Sequence, residues 1–186
     1  MKQSLSKLNS DSSPLFLDAS VIINLVASGR SDEILQALGH PIFIEQAICS
    51  EFKRDPRDGS DAKIIIEKLV NQARLKVITL SDSQYETFLG LTGALPPDDL
   101  GDGEAATIAC ACGVGAAVID ERKATRIATD AFPNLPVYSS LDLLCADSTI
   151  KALGKAEVSN AVRDAISKAR MRVPHPWKNW VSKFVA

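Results

Sequence analysis

The sequence predicts a three-layer α/β/α sandwich with a central parallel sheet and a helical C-terminal extension. Short apolar runs alternate with helical patterns along the chain, and parallel strands need such helical crossover connections. The segment 103–112 is apolar on almost every side, as expected of a helix buried against a sheet. The 186 residues include 46% hydrophobic and 24% charged residues, the balance of a globular protein that can bury a core.

The N-terminal half begins its alternation after a polar leader, residues 1–13. Ser20 is expected to cap the first helix, because a hydroxyl residue there precedes an apolar helical pattern. The last helix in this half is expected to carry an apolar stripe formed by Ile64, Ile65, Leu69 and Val70. In order, the predicted elements are a strand over 14–17, helices over 20–29 and 31–38, a strand over 41–44, a helix over 45–52, a loop over 53–60 and a helix ending near residue 74.

The C-terminal half continues the same alternation around a long loop, residues 92–101. Loops of this length are often functional. After this loop, the small side chains of the predicted helix over 103–112 would let that helix pack closely on the sheet. The predicted elements are a strand over 76–80, helices over 81–91 and 103–112, a strand over 116–119, a helix through 127 and 128, a strand over 136–138, a helix over 141–146, one helix or a helical hairpin over 150–170, and a tail over 174–180.

Charge divides the chain into an acidic body and a basic extension. Residues 1–149 carry 13 Lys and Arg against 21 Asp and Glu, whereas residues 150–186 carry 8 against 2. We therefore expect a domain over 14–146 and a basic helical extension over 147–186. Trp177 and Trp180 are expected to dock onto the body or onto a second subunit. The alternative is nucleic-acid binding, in which a tryptophan stacks on a base and the basic residues of the extension, Arg170 and Arg172 among them, contact phosphates.

Several locations and site types are disfavoured by the sequence. No apolar run approaches the ~20 residues that cross a bilayer, and the leader lacks the apolar stretch of a signal peptide, so we expect a cytoplasmic protein without a membrane partner. The four cysteines lack C-x-x-C spacing and are expected to be reduced and buried. His40 precedes a proline and His175 lies in the tail, so both are expected at the surface.

Common catalytic motifs of α/β proteins are missing from the sequence. There is no G-x-x-x-x-G-K-[ST] phosphate loop, and Gly113-Val114-Gly115 follows a helix instead of a strand, which disfavours a dinucleotide site. Asp18-Ala19-Ser20 lacks the second aspartate of an aspartyl-phosphate phosphatase. No Ser/His/Asp or Cys/His set is apparent.

Two predicted strands each end in an aspartate. Asp18 follows Leu15-Phe16-Leu17, and Asp120 follows Ala117-Val118-Ile119. Ligands of open parallel sheets bind beyond the carboxyl ends of the strands, so these carboxylates would converge there if the strands are neighbours. Converging carboxylates repel one another unless a cation lies between them. The alternative is that each aspartate only caps the helix that follows it.

Two glutamates extend this acidic set. Glu51 lies on or beside the apolar face of its predicted helix, where a carboxylate needs a partner or a metal ion. Glu104 occupies the first turn of the apolar helix, close after Asp102, and the helix dipole alone would also favour acids there.

The residues around these acids resemble those of the PIN-domain nuclease family, in a branch related to VapC-type toxins. The resemblance covers about residues 14 to 146 and rests on the order and spacing of several short motifs. The motifs are Leu17-Asp18-Ala19-Ser20-Val21-Ile22, Ser50-Glu51, Gly101-Asp102-Gly103-Glu104-Ala105-Ala106-Thr107-Ile108-Ala109 and Val118-Ile119-Asp120-Glu121-Arg122-Lys123-Ala124.

The resemblance implies a catalytic, metal-binding quartet and supporting residues. The quartet is Asp18, Glu51, Glu104 and Asp120, and it would bind Mg²⁺ or Mn²⁺. Many family members have aspartate where this chain has the longer Glu104. The supporting residues are Ser20, as the hydroxyl residue after the first aspartate, and Asp102 and Glu121, either of which could substitute for one of the four.

The activity implied by this resemblance is metal-dependent endoribonuclease hydrolysis of RNA phosphodiester bonds. Carboxylate ligands without histidine suit Mg²⁺ or Mn²⁺ and disfavour zinc. The implied partners are an RNA substrate, a small antitoxin-like protein and a second copy of the chain, while the sequence singles out no RNA-binding residues in the body. The alternative is a non-catalytic PIN-like scaffold that binds RNA or a protein partner.

Overall fold

A five-stranded parallel sheet forms the centre of the chain in the computed structural model, which describes residue 8 and residues 12–185. The leader predicted over 1–13 therefore lies largely outside the described residues. The sheet has the order β3-β2-β1-β4-β5. Its strands are β1 (Leu15–Leu17), β2 (Ile42–Glu45), β3 (Lys76–Ile78), β4 (Ala116–Val118) and β5 (Val137–Tyr138).

Strand β1 lies at the middle of the sheet, between β2 and β4. Leu15 pairs with Ile42 on one side, and Leu17 pairs with Val118 on the other. Because β1 and β4 are adjacent and parallel, their carboxyl ends lie at the same edge of the sheet. The chain order reverses between these two strands, which is where open α/β sheets form ligand-binding crevices.

Eleven α-helices lie around this sheet within the described residues. Those of the first part are α1 (Ala19–Ala27), α2 (Ser31–Leu38), α3 (Gln46–Glu51), α4 (Lys63–Asn71), α5 (Asp82–Thr92), α6 (Asp102–Ala111) and α7 (Arg122–Ala131). Those of the second part are α8 (Ser140–Leu144), α9 (Asp147–Leu153), α10 (Lys155–Ala169) and α11 (Lys178–Phe184), with a short 3₁₀ helix at His175–Trp177.

The sheet separates two hydrophobic layers, as the sandwich prediction requires. Leu15 and Leu17 point into a layer shared with α1, α2, α8 and α10, whereas Phe16, between them, points into a layer shared with α6 and α7. This alternation follows from the two-residue period of a strand. The fold class predicted from the sequence is confirmed.

The C-terminal segment contributes to the same core as the body. Helix α10 packs on α1 through buried residues that include Val158 and Val162. Trp177 is only 3% exposed and belongs to that core, and Trp180 packs against it edge-on. The docking prediction for the two tryptophans is confirmed within one chain. Gly154 separates α9 from α10, so the segment 150–170 spans two helices.

Two details of the helices differ from the sequence-based expectation. Of the predicted stripe of α4, Leu69 is buried and Ile65 partly buried, whereas Ile64 is 65% exposed and Val70 38% exposed, so the prediction is wrong for these last two residues. The buried stripe follows Ala62, Ile66 and Leu69, whose spacing of four and three residues keeps them on one helical face.

The cap of α1 is Asp18, not Ser20. The Asp18 carboxylate accepts the backbone N–H of Ser20, because the helix begins directly after β1 and leaves no room for a later cap. No helix in the described part of the chain combines the length and apolar character needed to cross a membrane.

Candidate active site

Two adjoining depressions lie beyond the carboxyl ends of β1 and β4. One, of about 290 Å³, is lined by Asp18, Glu104 and Asp120 together with residues of α1 and the turn after α10. The other, of about 410 Å³, is lined by Asp18, Glu51, Asp102 and Glu104. Asp18 and Glu104 belong to both, so all four acids of the predicted quartet surround one continuous cleft.

Asp18 occupies the centre of this cleft and is 5% exposed. It directly follows β1 and caps α1, which fixes its position. One oxygen of its carboxylate, Oδ2, accepts two hydrogen bonds from Ser20: one from the hydroxyl at 2.6 Å and one from the backbone N–H at 3.2 Å. The predicted supporting role of Ser20 therefore has a geometric counterpart, because its side chain orients Asp18.

Asp120 is held by three donors from two elements. Its Oδ1 accepts the backbone N–H of Ser140 at 2.8 Å. Its Oδ2 accepts the Ser140 hydroxyl at 2.5 Å and the Asn24 side-chain amide at 2.7 Å. Asn24 also donates to the Ser140 hydroxyl at 3.2 Å, so the three residues form one network. The carboxylate is thereby fixed at the edge of the sheet.

Sequence reasoning missed both Asn24 and Ser140, although each left a signal. Asn24 is the single polar residue in the apolar run from Val21 to Val26, and a buried amide needs a partner. Ser140 follows β5 near the same sheet edge at which Asp18 and Asp120 follow their strands. Because Ser140 is not an acid, the pattern of aspartates at strand ends does not include it.

Glu51 reaches the cleft from the last residue of α3 and is exposed. Its carboxylate lies against Gly103: a Cβ built on that glycine would come 2.9 Å from Glu51 Oε1 and 3.2 Å from Oε2. Gly103 lies in the first turn of α6, directly before Glu104. The absence of a side chain at position 103 therefore lets Glu51 approach the acids of α6.

Glu104 faces the cleft from the first turn of α6. Its Oε2 accepts the backbone N–H of Gly101 at 3.4 Å, which closes the N-terminus of the helix. The carboxylate is partly buried, while the body of α6 packs under the sheet. The position of Glu104 is therefore set by the same buried helix that the sequence identified by its apolar faces.

Burial and mutual repulsion raise the pKa of three acids in the cleft. Although Glu51 is exposed as a residue, partial desolvation of its carboxylate and the charges of Asp18 and Asp102 raise its pKa. The pKa of Glu104 is raised by burial and by Asp18. Burial also raises the pKa of Asp120 and outweighs the hydrogen bonds from Ser140 and Asn24, with Asp18 adding to the rise. Asp18 thus acts electrostatically on each of the other three acids.

The supporting acids differ in their surroundings. Asp102 is exposed and lines the cleft beside Glu51. Glu121 caps α7, where its Oε2 accepts the Ala124 N–H at 2.8 Å. Its Oε1 faces Arg172 at 3.6 Å. Glu121 therefore has two partners, the Ala124 N–H and Arg172. Asp102 takes part in none of the side-chain hydrogen bonds and ion pairs found among the described residues.

The chemistry of these donors suits a hard divalent cation, although the side chains stand apart. All four predicted ligands are carboxylates. A cation bound between them would relieve the repulsion that helps to raise the pKa of three of them. As the side chains stand, no three His, Cys, Asp or Glu residues within 12–185 lie close enough together to hold a metal ion. The exposed Glu51 and the half-buried Glu104 have the length to adjust, whereas Asp18 and Asp120 are fixed.

Other features singled out in the sequence lie away from the cleft. The ring of His40 bonds the Ser13 carbonyl at 2.8 Å through Nδ1, and neither His40 nor His175 lines the depressions. All four cysteines are free, as expected, but Cys49 and Cys112 are only partly buried. A larger groove, about 910 Å³, lies beside α3, α4 and β3 and has no cluster of buried acids.

Comparison with known proteins gives one result. The model of the family DUF3368, described as a PIN domain, matches residues 14–181. The match includes all four acids of the cleft, and it also includes helices α9 and α10 and most of α11. Neither the comparison with curated proteins nor that with solved structures found a match.

Proposed function

Because this chain belongs to the PIN-domain family, whose members are generally nucleases, we propose that it is a metal-dependent endoribonuclease. The proposed reaction is hydrolysis of an RNA phosphodiester bond. The proposed metal ligands are Asp18, Glu51, Glu104 and Asp120, and the proposed ion is Mg²⁺ or Mn²⁺.

The observation that carries the proposal is the convergence of four carboxylates on one cleft at the topological switch point. Three of them have a raised pKa, and Asp18 contributes to each rise. None of the ion pairs among the described residues joins a Lys or Arg to one of these four carboxylates. Repelling carboxylates of this kind are costly unless a cation or a function offsets the repulsion.

Some residues of the proposed site orient the metal ligands, and others complete the cleft. Ser20 orients Asp18, and Asn24 and Ser140 orient Asp120, so two ligands are fixed before any ion binds. Glu51 and Glu104 approach from two different helices and close the cleft. A bound divalent ion would activate water and stabilise charge on the phosphate. Fixed ligand orientation lowers the cost of assembling the reactive arrangement.

The finer assignments are proposals that follow from the family resemblance. We propose RNA as the substrate, a cytoplasmic location, and a role as the toxin of a toxin–antitoxin pair with a small protein partner. A homodimer is the proposed oligomeric state. A short partner gene in the neighbouring reading frame would support the toxin role.

The alternative function is a non-catalytic scaffold that keeps its acids and binds RNA or a protein partner. A mixture of single-stranded RNAs incubated with the protein and Mn²⁺ or EDTA distinguishes the two. The nuclease proposal expects cleavage with Mn²⁺ only. Intact RNA with both additives would favour the scaffold.

Asp18→Asn is the sharpest variant for this assay. Asparagine is as good a helix cap as aspartate, and its carbonyl can accept both Ser20 bonds, so the fold should be kept. Loss of the charge should lower the cleavage rate at least ~10²-fold. The control is Glu86→Gln on the exposed face of α5, which should cleave RNA like the parent. Full activity of the Asp18 variant would show that Asp18 does not hold the metal.

A further inference from the structure

The turn after α10 brings positive charge to the mouth of the acidic cleft. Arg170, Met171 and Arg172 line the same depression as Asp18 and Asp120. Among the described residues that line this depression, the two arginines are the only basic side chains. They come from the C-terminal segment, far in sequence from all four acids.

The backbone of this turn is fixed by the core. Met171 is 5% exposed, belongs to the main hydrophobic cluster, and its N–H donates to the Ala165 carbonyl at 3.2 Å. Arg170 ends α10 in the left-handed conformation, with φ of 56°. This left-handed backbone conformation favours glycine, so Arg170 adopts it at a conformational cost. Because Met171 points into the core, the arginines on either side of it are left exposed.

Arg172 is held loosely and is open to another anion. Its guanidinium nitrogen lies 3.6 Å from Glu121 Oε1, and its side chain is 70% exposed. The other oxygen of Glu121 is committed to capping α7. A long, solvent-exposed ion pair binds weakly. A guanidinium can instead bind a phosphate through two parallel hydrogen bonds, a geometry that lysine does not offer.

We propose that Arg172, with Arg170 beside it, binds a backbone phosphate of the RNA strand next to the bond to be cleaved. This inference rests on the proposed ribonuclease function. A cleft lined by carboxylates repels a polyanion, so arginines carried at its mouth by the buried turn would offset that repulsion and set the position of the strand. Arg172 thus contacts the substrate directly, and Glu121 competes with the phosphate for it.

Binding of a fluorescently labelled single-stranded RNA in EDTA, measured over a range of salt concentrations, tests this inference without cleavage. Arg172→Gln should weaken binding at low salt about tenfold and reduce the slope of log K against log salt by roughly 0.7, the value for one phosphate contact on a single strand. Glu121→Gln should tighten binding because it frees Arg172. With Mn²⁺, Arg172→Gln should raise KM more than it lowers kcat.

Arg30→Gln is the matched control. Arg30 is also exposed and ion-paired, with Glu33 and Glu157, but it lies beyond the far end of α1 from Asp18. It should bind RNA like the parent. The inference is overturned if Arg172→Gln binds RNA as tightly as the parent, if Arg30→Gln weakens binding equally, or if the parent binds no RNA. Absence of cleavage with Mn²⁺ would overturn only the proposed function.

Discussion

At the scale of single residues, Asp18 and Asp120 respond differently to the same substitution. Asparagine at position 18 can keep both bonds from Ser20. At position 120 the carboxylate accepts three donors on two oxygens, so the amide of asparagine must face a donor. We expect Asp120→Asn to cost about 1–3 kcal/mol of stability in EDTA, against little change for Asp18→Asn. Thermal melts of both variants measure this, and equal melting temperatures would contradict the network around Asp120.

Gly103 is the residue whose missing side chain admits Glu51 to the cleft. Gly103→Ala should push the Glu51 carboxylate aside, because the new Cβ would lie within 2.9 Å of it. Folding should be unaffected or slightly improved, since alanine favours a helix and the exposed Glu51 side chain has room to move aside. We expect Mn²⁺ affinity, measured by calorimetry, to fall about tenfold.

Gly90→Ala is the control for this substitution. Gly90 lies inside α5 with no atom within 4 Å of an added Cβ, so it repeats the backbone change without touching the cleft. Unchanged Mn²⁺ affinity in Gly103→Ala would remove Glu51 from the set of metal ligands.

At the scale of elements, the C-terminal helices complete the fold of the body. Trp177 is buried in the main core, and the Arg163 guanidinium donates to the Val185 carbonyl at 3.1 Å. Trp177→Ala should therefore cost about 3–5 kcal/mol of stability. Phe184→Ala removes a side chain that is 43% exposed and should cost much less. Denaturant unfolding compares the two, and similar midpoints would show that the segment after residue 173 does not stabilise the body.

At the scale of the whole molecule, the acids of the cleft set the pH dependence of stability. Three acids have a raised pKa in the folded state, so the folded protein binds protons more tightly than the unfolded chain. Stability without metal should therefore be greatest below their ordinary pKa values and fall as pH rises through the raised ones. Asp55, whose pKa the Arg57 guanidinium lowers, gives the opposite slope, but only at or below its ordinary pKa of 3.8.

Melting temperatures measured from the ordinary pKa values of these acids, 3.8 and 4.5, upward in pH test this prediction. In EDTA they should decrease as pH rises, and excess Mn²⁺ should remove the decrease because a cation bound only by the folded state stabilises it. Glu104→Gln should flatten the decrease in EDTA, whereas the exposed Glu86→Gln should not. A melting temperature indifferent to Mn²⁺ would count against a metal site.

The sequence by itself determines the order of strands and helices and the position of three of the acids, because each of these features depends on residues close together in the chain. Alternating apolar strands and helices predict a parallel sheet, and two strands that each end in an aspartate place both acids at the carboxyl edge of that sheet. Glu104 is placed by the apolar helix it begins. These features depend on spacing within one element, which the chain carries without its neighbours.

Only the tertiary structure decided which distant residues meet. Asn24 and Ser140 bond Asp120 across 96 and 20 positions of sequence. Glu51 meets Gly103, and Arg172 meets Glu121, because the packing of α3 on the sheet edge and of α10 on α1 brings them together. The buried stripe of α4 was also decided by packing, since Ile64, Ile66 and Leu69 are all apolar and only the neighbouring surface selects the face that is covered.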